Sequence, residues 1–208
     1  DPFQFLKDSE INNVYRDDKS RLSKGGLAVF YERDLNEDPM DKPISEWVSN
    51  TFVLSYLYRP PTGEEFGEDS IMAMVYYGGL MFPETNVKDL WHYIVERGFE
   101  GYLLYMTDTS GRKLKNNAGF TSLGESKQAL FSGVKSYISA HIHREKHLPI
   151  VKQFLGIQGL ADMTNQDLFV AAAGCLYGSS SRMRDFVSDR NNAETEVDWF
   201  EDDFVTYG

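Results

Sequence analysis

The stretch that most constrains the fold is residues 80–86, in which the apolar run Leu-Met-Phe stops at Pro-Glu-Thr-Asn. A short apolar run bounded by turn-forming residues is typical of a strand that is covered on both faces. Pro83 ends such a strand because proline has no N–H to donate, and Glu84 then lies at its carboxyl end. Ligands bind at this edge of open α/β sheets. The stretch therefore predicts that Glu84 belongs to a metal-binding cluster of carboxylates.

The segments around this stretch alternate between strand-like and helix-like patterns. Apolar, β-branched and aromatic runs predict strands at 27–31, 51–58, 80–82 and 102–106. Capping residues and apolar residues at helical spacing predict helices between Thr62 and Gly78, between Asn86 and Gly98, from Ser122 to about His141, and over 165–177. Residues 107–122 are expected to form a long polar loop, and 147–157 fit a helix and a strand equally well. The alternation predicts an α/β fold with parallel strands joined by right-handed crossovers.

Composition limits the classes of protein to which the chain can belong. Its 208 residues, 41% hydrophobic, supply one core, and no apolar stretch approaches the ~18 residues of a membrane span, so we expect a single domain in the cytoplasm with no membrane contact. The single cysteine, Cys175, excludes an internal disulfide and a thiolate zinc site, and we expect it in the core. The net charge of −11 argues against coating nucleic acid by bulk charge. Six acids between 194 and 203 account for more than half of that net charge.

Three acids stand out because of their positions in the predicted elements. Glu84 follows a strand, Asp167 lies in the first turn of an Ala-rich helix, and Asp1 begins the sequence in an Asp-Pro pair, where a strand could end. Two of them also have structural interpretations. Glu84 could be a solvated turn residue, and Asp167 could complement the helix dipole. The sequence alone does not decide whether the three side chains converge.

The order of these motifs resembles that of a known family. Asp1-Pro2, two strands and a helix, P-E-T-N at 83–86 and N-Q-D-L-F-V-A-A at 165–172 resemble the nuclease domain of the large terminase subunit of tailed bacteriophages. Residues 90–104 resemble the helix and strand that follow the second acid in that family. The resemblance covers 1–178 and implies a ribonuclease H-like α/β fold, with a central mixed β-sheet flanked by helices. Residues 179–208 are then an acidic C-terminal tail.

The resemblance also implies an activity and the residues that carry it. Asp1, Glu84 and Asp167 would hold two Mg²⁺ or Mn²⁺ ions, and the enzyme would be an endonuclease that cuts concatemers of double-stranded DNA during genome packaging in the host cytoplasm. The implied partners are the DNA, the terminase ATPase domain, the portal protein and the small terminase subunit. No Walker-type phosphate loop is present, so the ATPase domain is expected upstream in a longer polypeptide. The strand that would present Asp1 is also missing, which leaves Asp8 and Asp34 as substitutes.

The remaining polar clusters have weaker functional interpretations. Arg112, Lys113 and Lys115 form a basic loop that fits a DNA backbone, although a solvated loop is an equal alternative. Asp162 is either an auxiliary metal ligand or, as we favour, the start of a turn. At helical pitch His143 and His147 share a face that, with Arg144 and Lys146, could contact phosphate; a zinc site is disfavoured because the H-E-x-x-H pattern is missing.

Two rival functions stay open on the sequence alone. The same fold could be a non-catalytic module that docks DNA or the portal, in which case the acids are structural. It could also be a junction resolvase or an integrase-type nuclease. Carboxylates that converge favour an enzyme, and dispersed carboxylates favour the docking module. A resolvase would cut branched DNA, whereas a terminase would cut linear duplex DNA.

Overall fold

The computed structural model describes residues 24–85, 88–106, 118–163 and 166–179. Within these ranges the chain is a mixed α/β protein. Its strands are β1 (Gly25–Tyr31) and β2 (Thr51–Tyr58), and its helices are α1 (Gly63–Tyr77), α2 (Lys88–Glu96), α3 (Glu125–His141), α4 (Leu148–Gly156) and α5 (Asp167–Gly178). No helix of the described part is both long and apolar enough to cross a bilayer.

The strands β1 and β2 form an antiparallel pair whose two faces are covered by different helices. The register runs from Gly25 opposite Tyr58 to Tyr31 opposite Thr51, with an irregularity after Val29. Side chains alternate between the faces of a strand. Ala28 therefore packs in a core with α3, α4 and α5, whereas Leu27 packs against a second core built on α1 and α2.

Helix α1 begins and ends at the residues that the sequence predicts. The side chain of Thr62 accepts a hydrogen bond from the backbone N–H of Glu65, and Gly78 ends the helix in the left-handed conformation with φ of 61°. Apolar residues at helical spacing within it, Phe66, Ala73, Met74 and Tyr77, predict the face that packs on the core. The first three are buried, but the prediction is wrong for Tyr77, because 39% of it is exposed.

The predicted parallel pairing occurs as isolated bridges between three short segments. Met81 bridges Leu103, Tyr105 bridges Gly119, and Glu84 bridges Phe120, all in parallel orientation. Leu80 is 44% exposed, so the prediction that its strand is covered on both faces is wrong at that residue.

The assignment of 107–122 as a polar loop is also wrong at its carboxyl end. Ala118 and Phe120 are buried, and backbone bonds join Gly119 to Leu104 and Phe120 to Pro83. Residues 107–117 lie outside the described ranges, as do Asn86 and Thr164, which precedes the predicted helix over 165–177 and could cap it.

Candidate metal centre

Glu84 is held at the end of its segment by backbone contacts with residues 119–120. Phe120 donates its N–H to the carbonyl of Pro83 at 2.9 Å, and Thr85 donates its N–H to the carbonyl of Phe120 at 2.7 Å. Gly119 allows the two segments to meet, because an added Cβ would lie 1.8 Å from the Pro83 carbonyl oxygen and its φ is +97°. The backbone on both sides of Glu84 is therefore fixed.

The Glu84 side chain is buried and bonded to a serine on the neighbouring segment. Only 7% of Glu84 is exposed, and the hydroxyl of Ser122 donates a hydrogen bond to its Oε1. Two residues earlier on each segment, Phe82 and Phe120 are also neighbours, with their ring centroids 5.1 Å apart. Glu84 and Ser122 are the next pair on the same face. Sequence reasoning assigned Ser122 to a helix cap, but α3 begins at Glu125 with Gly124 at its N-cap.

Asp167 is the first residue of α5 and is fixed against the start of β1. It is 6% exposed, and its Oδ2 accepts a hydrogen bond of 2.8 Å from the backbone N–H of Lys24. Gly26 permits this approach, because an added Cβ would lie 2.5 Å from the Asp167 carbonyl oxygen. A carboxylate in the first turn also interacts favourably with the helix dipole.

Helix α5 relates the two acids to each other. Gly178 lies against Phe82, and Gly174 lies against Phe120, with added Cβ atoms 3.2 and 2.5 Å from the respective rings. Phe82 contacts the C-terminal end of α5, and Phe120, which pairs with Glu84, contacts α5 about one turn closer to its N-terminus. Glu84 therefore lies on the α5 side of its segment, towards the end of the helix that begins at Asp167.

The described residues supply two members of the predicted carboxylate set and not the third. Asp1 and its substitute Asp8 lie outside the described ranges, and the described part contains no group of three His, Cys, Asp or Glu side chains that could hold a metal ion. Asp34 is wrong as a substitute, because β1 runs away from Asp167 and Asp34 lies beyond its opposite end, where its side chain accepts from the N–H of Asn36.

Known proteins offer no further guide to this site. No protein-family model, curated protein or solved structure matches the chain. The buried acids, their partners and their surroundings are therefore the observations that bear on its chemistry.

Two other acids have structural roles. Asp162 accepts hydrogen bonds from the N–H groups of Gln158 and Gly159, at 3.0 and 2.9 Å, which agrees with the favoured assignment to a turn. Asp38 is fully buried and bonds Lys42 at 2.6 Å. Burial favours the neutral form of Asp38, but hydrogen bonds from Lys42, Ser49 and Val48 outweigh that effect and hold the pKa of Asp38 well below its usual range.

The predicted contact of the histidine region with phosphate is not supported by the positions of its side chains. Helix α3 ends at His141, so His143 and His147 do not share a helical face. The guanidinium of Arg144 donates to the backbone carbonyls of Trp47, Ser49 and Asn50 at 2.8 to 3.1 Å. Arg144 therefore ties α3 to the loop before β2. The other candidate DNA contacts, Arg112, Lys113 and Lys115, lie outside the described ranges, as do residues 180–208 of the tail.

A cavity of about 550 Å³ lies beside β1, on the side away from β2. Six consecutive residues of the strand and its end, 27–32, line it, together with Leu80, Met81 and Leu104. Residues of α1 and the C-terminal end of α5 also contribute to its walls. Sequence reasoning did not find this cavity, because its walls come from five separate parts of the chain.

Proposed function

We propose that this chain is the nuclease domain of a phage terminase large subunit and cuts double-stranded DNA with the help of divalent metal ions. The observation that carries the proposal is the burial of Glu84 and Asp167, the two acids that the resemblance selects, towards the same end of α5. Burying a carboxylate costs free energy unless it is bonded or binds a cation. Two buried carboxylates towards the same end of one helix are therefore candidate metal ligands.

The residue types suit the proposed ions. Carboxylate oxygens are the ligands that Mg²⁺ and Mn²⁺ prefer, and Glu84, Asp167 and Asp1 would provide them. When bound, such ions supply an activated water and stabilise the leaving oxygen of a phosphodiester. Glu84 is oriented by Ser122, and Asp167 by the backbone of Lys24, so both side chains are held before any ion binds.

The cavity beside β1 supports a position for the third acid. Its walls, which include β1 and the segment at Met81, leave a space that suits one additional strand. In the proposal, this space takes the strand that would present Asp1, the third metal ligand. The resemblance implies that the ATPase domain is a partner upstream in the same polypeptide.

The remaining features of the proposal follow from the resemblance. The substrate is a DNA concatemer, the cut occurs in the host cytoplasm during packaging, and the portal and the small terminase subunit are partners. Arg112, Lys113 and Lys115 would follow the DNA backbone beside the site, which gives affinity with little sequence specificity.

The test is nicking and linearisation of a plasmid by the purified protein in Mn²⁺, Mg²⁺ or EDTA. Glu84→Gln and Asp167→Asn keep the size of each side chain and remove its charge, so we expect each to lower metal-dependent cutting by about 100-fold or more. Asp162→Asn is the matched control. It removes an acid of the adjacent turn, and we expect cutting to continue at the wild-type rate.

The outcomes separate the alternatives. Cutting that survives both site substitutions would refute the assignment of the metal ligands. A folded wild type that shifts DNA in a gel without cutting it would favour a docking module instead. A strong preference for branched over linear duplex DNA would indicate a resolvase.

A further inference from the structure

We propose that Ser122 is a positioning residue for the metal-binding carboxylate of Glu84, an inference that rests on the proposed function. The hydroxyl of Ser122 donates a hydrogen bond to Oε1 of Glu84, across two segments that are 38 positions apart in sequence. This bond is made inside the protein, where 7% of Glu84 is exposed.

The position of Ser122 opposite Glu84 follows from the backbone. Phe120 bridges Glu84 in parallel orientation, and side chains two residues apart along a strand project from the same face. The ring of Phe120 lies against Phe82, and the next pair on that face is Ser122 with Glu84. Bonds between Phe120 and its neighbours Pro83 and Thr85 fix the register that sets this pairing.

The bond to Ser122 fixes the orientation of the carboxylate. An ionised carboxylate has about four lone-pair sites, so the hydrogen bond from Ser122 restricts its orientation and does not by itself block cation binding. Groups that orient a metal ligand typically change metal affinity by about 10- to 100-fold when they are removed. Ser122 would therefore act on metal affinity through Glu84 without touching the ion or the DNA.

The experiment measures Mn²⁺ binding without DNA, from the electron paramagnetic resonance signal of free Mn²⁺, and the Mn²⁺ concentration that gives half-maximal plasmid cutting. We expect Ser122→Ala to raise the dissociation constant for Mn²⁺ and the Mn²⁺ concentration for half-maximal cutting by about 10-fold or more, with cutting at saturating Mn²⁺ close to that of the wild type. Ser122→Thr keeps the hydroxyl and should restore binding. Ser139→Ala is the control, because the Ser139 hydroxyl donates a hydrogen bond to the carbonyl of Lys135 on an exposed part of α3.

Circular dichroism and thermal unfolding of each variant separate positioning from folding. A purely structural role would lower the unfolding midpoint and leave the Mn²⁺ dependence of the folded fraction unchanged, and that result would overturn the inference. If the wild type binds Mn²⁺ and cuts DNA, an unaltered Mn²⁺ dependence in Ser122→Ala overturns this inference alone. If the wild type neither binds Mn²⁺ nor cuts, the inference and the proposed function both fail.

Discussion

At the residue scale, Gly119 has less room for a side chain than the other glycines of the described ranges. Its φ is +97°, and a Cβ would lie 1.8 Å from the Pro83 carbonyl oxygen, which is backbone and cannot rotate away. We expect Gly119→Ala to lower the free energy of unfolding by about 3 kcal/mol, from a left-handed backbone strain of about 1–2 kcal/mol and the added overpacking. Urea denaturation measures the loss.

Gly133 in α3 is the matched control for that substitution. No atom lies within 4 Å of a Cβ added there, and the residue is inside a helix, where alanine is favoured over glycine. We expect Gly133→Ala to be neutral or to stabilise the protein by up to about 1 kcal/mol. Equal effects of the two substitutions would show that the contact between Gly119 and Pro83 carries no strain.

Asp38 should make stability depend on pH. Its pKa in the folded protein is below the value of about 3.9 for an unfolded chain, so its ionised form stabilises the fold above that pH. As the pH falls from about 5 through the folded pKa, the unfolded state takes up a proton first and this stabilisation is lost. Asp38→Asn should therefore unfold at lower urea than the wild type at pH 7, and the difference should shrink below pH 4.

Local signals made some residues predictable from sequence. Thr62 and Gly78 were identified correctly, because a cap is decided by residues within one turn of the helix. Ser122 has the same local signal as Thr62, a glutamate three positions later, but its hydroxyl donates a hydrogen bond to Glu84. That partner is set by the pairing of distant segments, which no local pattern encodes.

At the element scale, the start of α5 depends on its contact with β1. Gly26→Ala would place a Cβ 2.5 Å from the Asp167 carbonyl oxygen, so either the helix or the strand must shift. We expect a loss of about 1–3 kcal/mol in the free energy of unfolding, as is usual for overpacking. In the proposed nuclease, metal-dependent cutting should also fall, since Asp167 moves with the helix.

Gly156→Ala provides the comparison for this element. The residue lies at the end of α4, with no atom within 4 Å of an added Cβ, so neither stability nor cutting should change appreciably. If Gly26→Ala behaves like Gly156→Ala in both assays, the contact does not position α5.

The success of element prediction depended on how regular the apolar pattern was. Helices α1, α2, α3 and α5 were found because their apolar residues recur at helical spacing, and in the nine-residue α2 these are Leu90, Trp91, Ile94 and Val95. Helix α4 has the same length, but its pattern left helix and strand undecided, and residues 118–120 were assigned to a loop because single bridges are too short to show a period.

At the scale of the whole molecule, the sequence predicted the class of fold and the structure supplied its arrangement. Alternation of strand and helix patterns indicated an α/β protein, and helices do cover both faces of β1 and β2. The relation of Glu84 to Asp167 could not be predicted, because it depends on how α5 crosses segments more than 45 residues away. The ribonuclease H-like topology and the metal site stay predictions.

The single thiol lies in the contact between β1 and α5. Cys175 Sγ donates a hydrogen bond of 3.3 Å to the carbonyl of Ala28, and burial raises the pKa of the thiol to about 12. An ordinary cysteine has a pKa of about 8.5, so at pH 8 the folded protein should react with a thiol reagent at least about 10-fold more slowly than the unfolded chain. Absorbance of the released chromophore measures both rates, and equal rates would contradict the protection of this half-buried thiol.

Because the sequence has one cysteine, any labelling reports on that one place in the protein. Where separation of the helix from the strand speeds the reaction, the rate under native conditions reports how often this contact opens. The same helix begins with Asp167. The labelling rate therefore follows the stability of the support for the candidate metal centre, without DNA, metal or an activity assay.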